Sequence, residues 1–276
     1  MASDKRLIEE YWRLRDAIRG RIFRHLNPEQ MKAVEAGEGP VLCLAGAGSG
    51  KTTAMVYRIL HLYLFGPVYN PRPRPPDDLS EEDLALMREW LDGSRNEGRK
   101  ILPRRIAELI NRDGVQPHSI FAITFTNKAA EEMKSRMALL LGNVMHQMWI
   151  MNFHKACVRI LRREITALGF VRDFTIYDAQ DQLQVIKRVS AELNLDDKVF
   201  TPQALAGLIS RFKSELKSPG EARKHAPDFW QEKGAAVYEA YQKRLQQDNA
   251  LDFDDLIMLA VRLFQENPAV LEKYRE

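Results

Sequence analysis

The sequence predicts an α/β fold: a parallel sheet crossed by helices, with an all-helical subdomain behind it. Three observations predict it. Four short apolar runs, at 41–44, 120–125, 148–153 and 173–178, have the length and composition of buried strands. The segments between them carry helical periodicity, and that alternation favours parallel strands joined by right-handed crossovers. From residue 179 to 248 the strand pattern stops, which suggests a second, helical subdomain.

Taken in order, Leu7, Tyr11, Leu14 and Ile18 recur at helical spacing, so an amphipathic helix is expected over 5–20. In "HLNPEQMKAV", Asn27 is placed to cap a helix whose first residue is Pro28. "VLCL" (41–44) is expected as a buried strand, and "TTAMVYRILHLYLF" as a helix after the intervening loop. Composition then shifts at "GPVYNPRPRPPDD". Five prolines between residues 67 and 76 exclude helix and central strand. "SEEDLALMREWL" opens with a capping-box pattern, Ser80 to Asp83, and is broken by Gly93 and Gly98. "PRRIAELINRDG" is a further helix with Gly114 at its end. Residues 67–100 are therefore expected as a surface excursion. The strands "IFAITF", "MWIMNF" and "DFTIYD" follow, and helices are expected at 179–194, 202–216 and around "GAAVYEAYQKRLQ".

Composition narrows the class. The chain of 276 residues is 45% hydrophobic and 29% charged, ordinary values for a soluble globular protein with a sizeable core. A net charge of +3 permits a nucleic-acid partner without demanding one. The first residues hold no apolar signal core, and no run reaches the ~18 apolar residues of a membrane span. Cys43 and Cys157 both lie in apolar context and are expected as reduced core residues of a cytoplasmic protein.

The most specific stretch is "AGAGSGKTT", residues 45–53. Its glycines allow close backbone approach to phosphates, and successive N–H groups make an anion nest to which the next helix adds its positive end. Ala45, Gly46, Ala47, Gly48, Ser49, Gly50, Lys51, Thr52 and Thr53 are the expected nucleotide-binding residues. Lys51 is placed for the β and γ phosphates of ATP and the Thr52 hydroxyl for Mg²⁺. Ala45 stands where the strict motif has glycine, so the match is to its relaxed form.

Together with later segments, this loop resembles the N-terminal part of superfamily 1 DNA helicases of the UvrD/Rep/PcrA type. "LNPEQMKAV" looks like the family's Q motif, "AGAGSGKTT" its motif I, "FAITFTNKAAEEMKSRM" its motif Ia and "MNFHKACVRILRR" its motif Ib. "FTIYDAQDQ" and "LDFDDLIMLAVRLF" have counterparts in the same order. The resemblance implies a P-loop, RecA-like ATPase core at 1–178, a helical insertion at 179–248 and a return to the core at 249–276. It also implies an ATP-dependent 3′→5′ helicase activity in the parent protein, used in repair or replication. The loop at 67–100 is longer than the family's common pattern.

By the same resemblance, Gln30 reads adenine through an amide that both donates and accepts. Phe125 offers a stacking face to single-stranded DNA, Thr126, Asn127 and Lys128 meet phosphates at a helix start, and Asn152 and His154 lie on the DNA path. Asn152 and Lys155 replace the family's Thr and Ser, which weakens the carry-over there. Each residue has a plainer reading: Phe125 as core, His154 as structural. Lys155, Arg159, Arg162 and Arg163, at helical spacing, read foremost as a solvated face. Asp252, Asp254 and Asp255 look metal-like, but with no strand expected before them they are read as helix-start residues.

Hydrolysis needs a carboxylate to hold the metal and orient water. Asp178 ends an apolar strand and is one candidate, but Ala179 follows where a glutamate is wanted. The other expectation is that the acid, in the family's motif II, comes after Glu276 together with a second motor domain. A stand-alone ATP- and DNA-binding module, and a self-contained P-loop ATPase using Asp178, stay open as alternatives.

Overall fold

The computed structural model describes residues 2–93 and 102–275, which divide into two compact units at Asn152/Phe153. The sequence-based subdomain boundaries were 178/179 and 248/249. Gly98 and the rest of 94–101 lie outside the described residues.

In the first unit, α1 (Ala2–Phe23) buries Tyr11, Leu14 and Ile18 as its periodicity requires. The stripe also carries Arg15, fully buried. Its guanidinium donates to the Ile110 and Asn70 carbonyls and lies over the Phe65 and Tyr69 rings. Asn27 caps α2 (Pro28–Glu35) in a capping box with Gln30. Next come α3 (Lys51–Phe65), α4 (Glu81–Asp92) with its Ser80–Asp83 capping box, and α5 (Arg104–Ile110). Two strands, β1 (Phe121–Thr124) and β2 (Trp149–Asn152), flank α6 (Asn127–Leu141). They pair in parallel, Phe121 opposite Trp149 and Thr124 opposite Asn152.

Four expectations fail here for identifiable reasons. Residues 41–44 form no strand: no described segment pairs with them, and an unpaired strand is not stable in water. Leu42 and Leu44 are accordingly 84% and 88% exposed, and Cys43 is exposed rather than core. Residues 67–93 are not a surface excursion. Leu84 and Met87 of α4 are fully buried, and the indole of Trp12 donates to the Pro73 carbonyl, so the proline run is strapped onto α1. Arg88 pairs with Glu10, and Arg21 donates to the Trp90 and Leu91 carbonyls. Gly114 does not end α5, whose C-cap is Asn111. It is glycine for close approach, since a Cβ there would sit 1.9 Å from the Tyr63 carbonyl oxygen.

The second unit opens with α7 (Phe153–Glu164), then β3 (Thr175–Ile176). Residues 179–248 contain α8 (Ala179–Glu192), α9 (Pro202–Ser214), a short α10 (Pro219–Lys224) and α11 (Phe229–Gln247), and no strand. β4 (Ala250–Leu251) then pairs in parallel with β3, followed by α12 (Phe253–Glu266) and α13 (Pro268–Arg275). Among the described residues the expected single sheet is two parallel pairs, β1–β2 and β3–β4. Contrary to expectation, a short strand does precede Asp252. The basic face of α7 is not simply solvated either. Arg162 donates to the Arg172 carbonyl at 2.6 Å and stacks over Phe174 at 4.0 Å.

A buried ionic cluster ties this unit together. The Lys213 ammonium on α9 lies 2.7 Å from Asp252 and 2.8 Å from Asp255, all three side chains being almost wholly buried. Tyr241 and Gln182 donate to Asp252, and Gln242 donates to Asp255. Asp252 also caps α12, reciprocally with Asp255. Burial opposes ionisation of Asp252, but Lys213 and the surrounding donors hold its carboxyl below the usual range. For Asp255 burial prevails over Lys213, and the carboxyl is pushed up to about 6.

Candidate functional site

The loop before α3 is built as its composition dictates. Gly48 and Gly50 adopt left-handed φ of 78° and 84°. Ser49 donates through its hydroxyl to the Gly46 carbonyl at 2.9 Å, and the Lys51 ammonium donates to Ala45 and Gly46 carbonyls at 3.1 and 2.6 Å. Gly50 is the N-cap of α3 and supplies no side-chain acceptor. The first-turn N–H groups of a 15-residue helix therefore face an acceptor-free end, next to a lysine. This donor set fits a polyphosphate. Thr52, half-buried, lies at the same end. Among the described residues no three His, Cys, Asp or Glu side chains are grouped to hold a metal ion.

Gln30 lies against this loop. Its side-chain oxygen accepts from the Asn27 N–H at 3.2 Å, and its Nε2 donates to the Ser49 carbonyl at 3.0 Å. Thr53 accepts a hydrogen bond from Arg136 of α6 at 3.3 Å, which links the helix after the phosphate loop to the helix after β1.

At the head of α6, Phe125 is 89% exposed, which excludes its core reading. Thr126 is the N-cap, its hydroxyl accepting from the Ala129 N–H at 3.1 Å. Asn127 and Lys128 follow, exposed, in the first turn. Asn152, at the end of β2, donates through its amide to the Asn127 side chain at 3.0 Å. Phe125 through Lys128 and Asn152 are thus brought together within the first unit.

In the second unit, His154 is half-buried and makes an edge-to-face contact with Phe253 at 5.6 Å. The sequence reading missed Phe253. It sits in the first turn of α12 beside the capping Asp252 and is 52% exposed. Periodicity could not have flagged it, because it shares the i, i+3 stripe of the buried Leu256.

Asp178 is not placed as a catalytic acid. It is the N-cap of α8, accepting from the Gln180 and Asp181 N–H groups at 2.8 and 2.9 Å, in a reciprocal box with Asp181. Its apolar lead-in, β3, presents a helix cap.

Comparison with known proteins adds the remaining context. A family model described as the UvrD/REP helicase N-terminal domain matches residues 26–68 and 99–276. The chain is 40% identical over 254 residues to the ATP-dependent DNA helicase PcrA of Staphylococcus aureus. It has the same identity over the same length to that of Staphylococcus epidermidis. These matches take in 92% of the chain and 28% of each relative. The segments that the family model leaves out, residues 1–25 and 69–98, include the elements that strap onto one another in the first unit.

Proposed function

The chain belongs to the UvrD/REP helicase N-terminal domain family, and from that premise we propose that it is the ATP- and single-stranded-DNA-binding portion of an ATP-dependent 3′→5′ DNA helicase. The parent protein would act in cytoplasmic DNA repair or replication. In this reading residues 1–178 and 249–276 belong to a RecA-like core and 179–248 to a helical insertion.

The observation that carries the proposal lies within the first unit. That unit holds both a phosphate loop at the head of α3 and an exposed aromatic at the head of α6, and Arg136, in the C-terminal half of α6, donates to Thr53 in the first turn of α3. Residues 45–53 cradle the triphosphate through backbone N–H groups, Lys51 meets its terminal phosphates, Thr52 ligates Mg²⁺, and Gln30 approaches the nucleotide from α2. Mg²⁺ held there would supply charge neutralisation to the phosphates. Phe125 stacks on a base, while Thr126, Asn127, Lys128 and Asn152 meet the backbone at a helix N-terminus. In the second unit, His154, with Phe253 against its ring, is a further residue proposed to meet DNA. With Asp178 used as a helix cap, this reading takes the acid that orients water from outside residues 1–276. A C-terminal motor region of the parent protein, as partner, is the source this reading names.

Phe125→Ala should weaken binding of an oligonucleotide such as oligo(dT) by about 1–3 kcal/mol, the usual worth of one stacked base. Fluorescence titration at fixed salt measures it. Equal affinities for parent and variant would remove the stacking role.

A further inference from the structure

We propose that Gln30 is a positioning residue of the phosphate loop: its amide pins the Ser49 carbonyl and thereby fixes the direction of the Gly50 N–H, one of the donors that cradle phosphate. This rests on the nucleotide reading of residues 45–53 and gives Gln30 a role apart from base recognition.

The peptide between Ser49 and Gly50 is trans, so its C=O and N–H point in opposite directions. Holding one end sets the other. The Gln30 Nε2–Ser49 oxygen bond, 3.0 Å, holds the carbonyl end toward α2 and turns the Gly50 N–H away from it. The restraint is needed because Gly50, at φ 84°, is the residue type for which rotation of a peptide plane is cheapest. Contact here is close: a Cβ on Gly50 would lie 2.4 Å from Gln30 Nε2.

The other loop carbonyls near this point are held in the same manner. Ala45 and Gly46 accept from Lys51, and Gly46 also accepts from the Ser49 hydroxyl. Carbonyls that would repel phosphate are tied back by donors, which leaves N–H groups to converge on an anion. Gln30 performs for Ser49 what Lys51 and Ser49 perform for the residues before it. Its own orientation is set from the other side, where its oxygen accepts from the Asn27 N–H at 3.2 Å. One amide thus joins the start of α2 to the phosphate loop. Reading adenine with a donor and an acceptor at once would call on the second hydrogen and second lone pair of that same amide.

Two variants separate loop positioning from base reading and from helix capping. Gln30→Ala removes the Ser49 bond. Asn27→Ala removes the reciprocal half of the α2 cap, the Gln30 N–H to Asn27 side-chain bond of 2.8 Å, and leaves Ser49 held. Magnesium complexes of ATP, GTP and inorganic tripolyphosphate are titrated calorimetrically into parent, both variants and Lys51→Ala, with thermal melts alongside. The expected result is a loss of about 10-fold for all three ligands in Gln30→Ala, the scale of one hydrogen bond to a charged group. Asn27→Ala should bind all three like the parent while melting lower. Loss of ATP affinity alone in Gln30→Ala, with tripolyphosphate unchanged, would overturn the inference in favour of base reading. An equal loss in Asn27→Ala would overturn it in favour of helix capping. A parent that binds no tripolyphosphate, or a Lys51→Ala variant that binds it as well as the parent, would overturn the nucleotide reading and this inference with it.

Discussion

Lys213→Met should destabilise the second unit by about 3–5 kcal/mol, the usual cost of stripping a buried ion pair of one partner. Lys213 is the cation within 2.8 Å of two carboxylates that water cannot reach. Without it, Asp252 and Asp255 face each other across the first turn of α12. Their capping bonds to one another's N–H groups keep them together rather than letting them swing out. A domain's whole stability is on the order of 5–15 kcal/mol, so much of it is at stake. Restoring neutrality should recover most of the loss. The triple variant Lys213→Met, Asp252→Asn, Asp255→Asn keeps side-chain volume and oxygen acceptors while removing both charges. Urea unfolding followed by far-UV circular dichroism measures each step. A Lys213→Met variant within 1 kcal/mol of the parent would show that the cluster contributes no net stability.

Stability should also fall as pH drops from about 6.5 to about 4, and His61→Leu should flatten that slope by up to about 3 kcal/mol. His61 is fully buried in α3, and among the described residues neither ring nitrogen makes a well-formed hydrogen bond, the Gly66 backbone offering only a weak contact that acts against the shift. Burial depresses its pKa to about 4, with Arg19 and Arg58 acting in the same direction. The unfolded chain takes up the proton below about 6.5 while the folded chain resists it until about 4, so protonation favours unfolding throughout that window. Above it the folding contribution is complete. Leucine has nothing to protonate and leaves no orphaned nitrogen, so the variant should be at least as stable as the parent at pH 7.5. The difference between parent and variant isolates this residue from the carboxylates that titrate nearby. Parallel slopes from melts at pH 7.5 and pH 5 would mean that His61 finds a proton acceptor in the folded state.

The elements legible in the sequence were those whose signal is local. Asn27, Ser80 and Asp252 stand at helix starts as expected, because a short polar side chain there needs nothing from the rest of the fold, whereas Asp178 caps a helix although its apolar lead-in reads as a strand presenting an acid. The run 120–125 reads as a strand because its partner at 149–152 lies in the same unit. The run 41–44 is as apolar but pairs with nothing described, so composition alone could not decide it. The same limit hid the joining of α1 to residues 67–93. That union rests on Arg15, Trp12 and Arg21 donating to backbone carbonyls about 55–70 residues away, as Arg15 does to Asn70, and backbone acceptors leave no trace in sequence. At the site, the phosphate loop is legible from spacing and type, whereas Phe125 stands out only through the family resemblance and by itself reads as core. Arg136 on Thr53, Gln30 on Ser49 and Phe253 beside His154 were not legible, because each is a contact between separate elements.

The central proposal is that these residues bind Mg-ATP and single-stranded DNA while the acid that turns ATP over is supplied by another part of the parent protein. Its most direct test is steady-state phosphate release by the 276-residue chain, with saturating single-stranded DNA and ATP at a concentration that titration shows to fill the loop. The account predicts a background rate that DNA does not raise and that is the same in Lys51→Ala. The loop supplies a cradle and one metal ligand, but neither a water-orienting carboxylate nor an arginine finger, the latter worth about 10³–10⁵ in rate where present. DNA-stimulated release of several turnovers per second, abolished by Lys51→Ala, would contradict it and place the acid within residues 1–276.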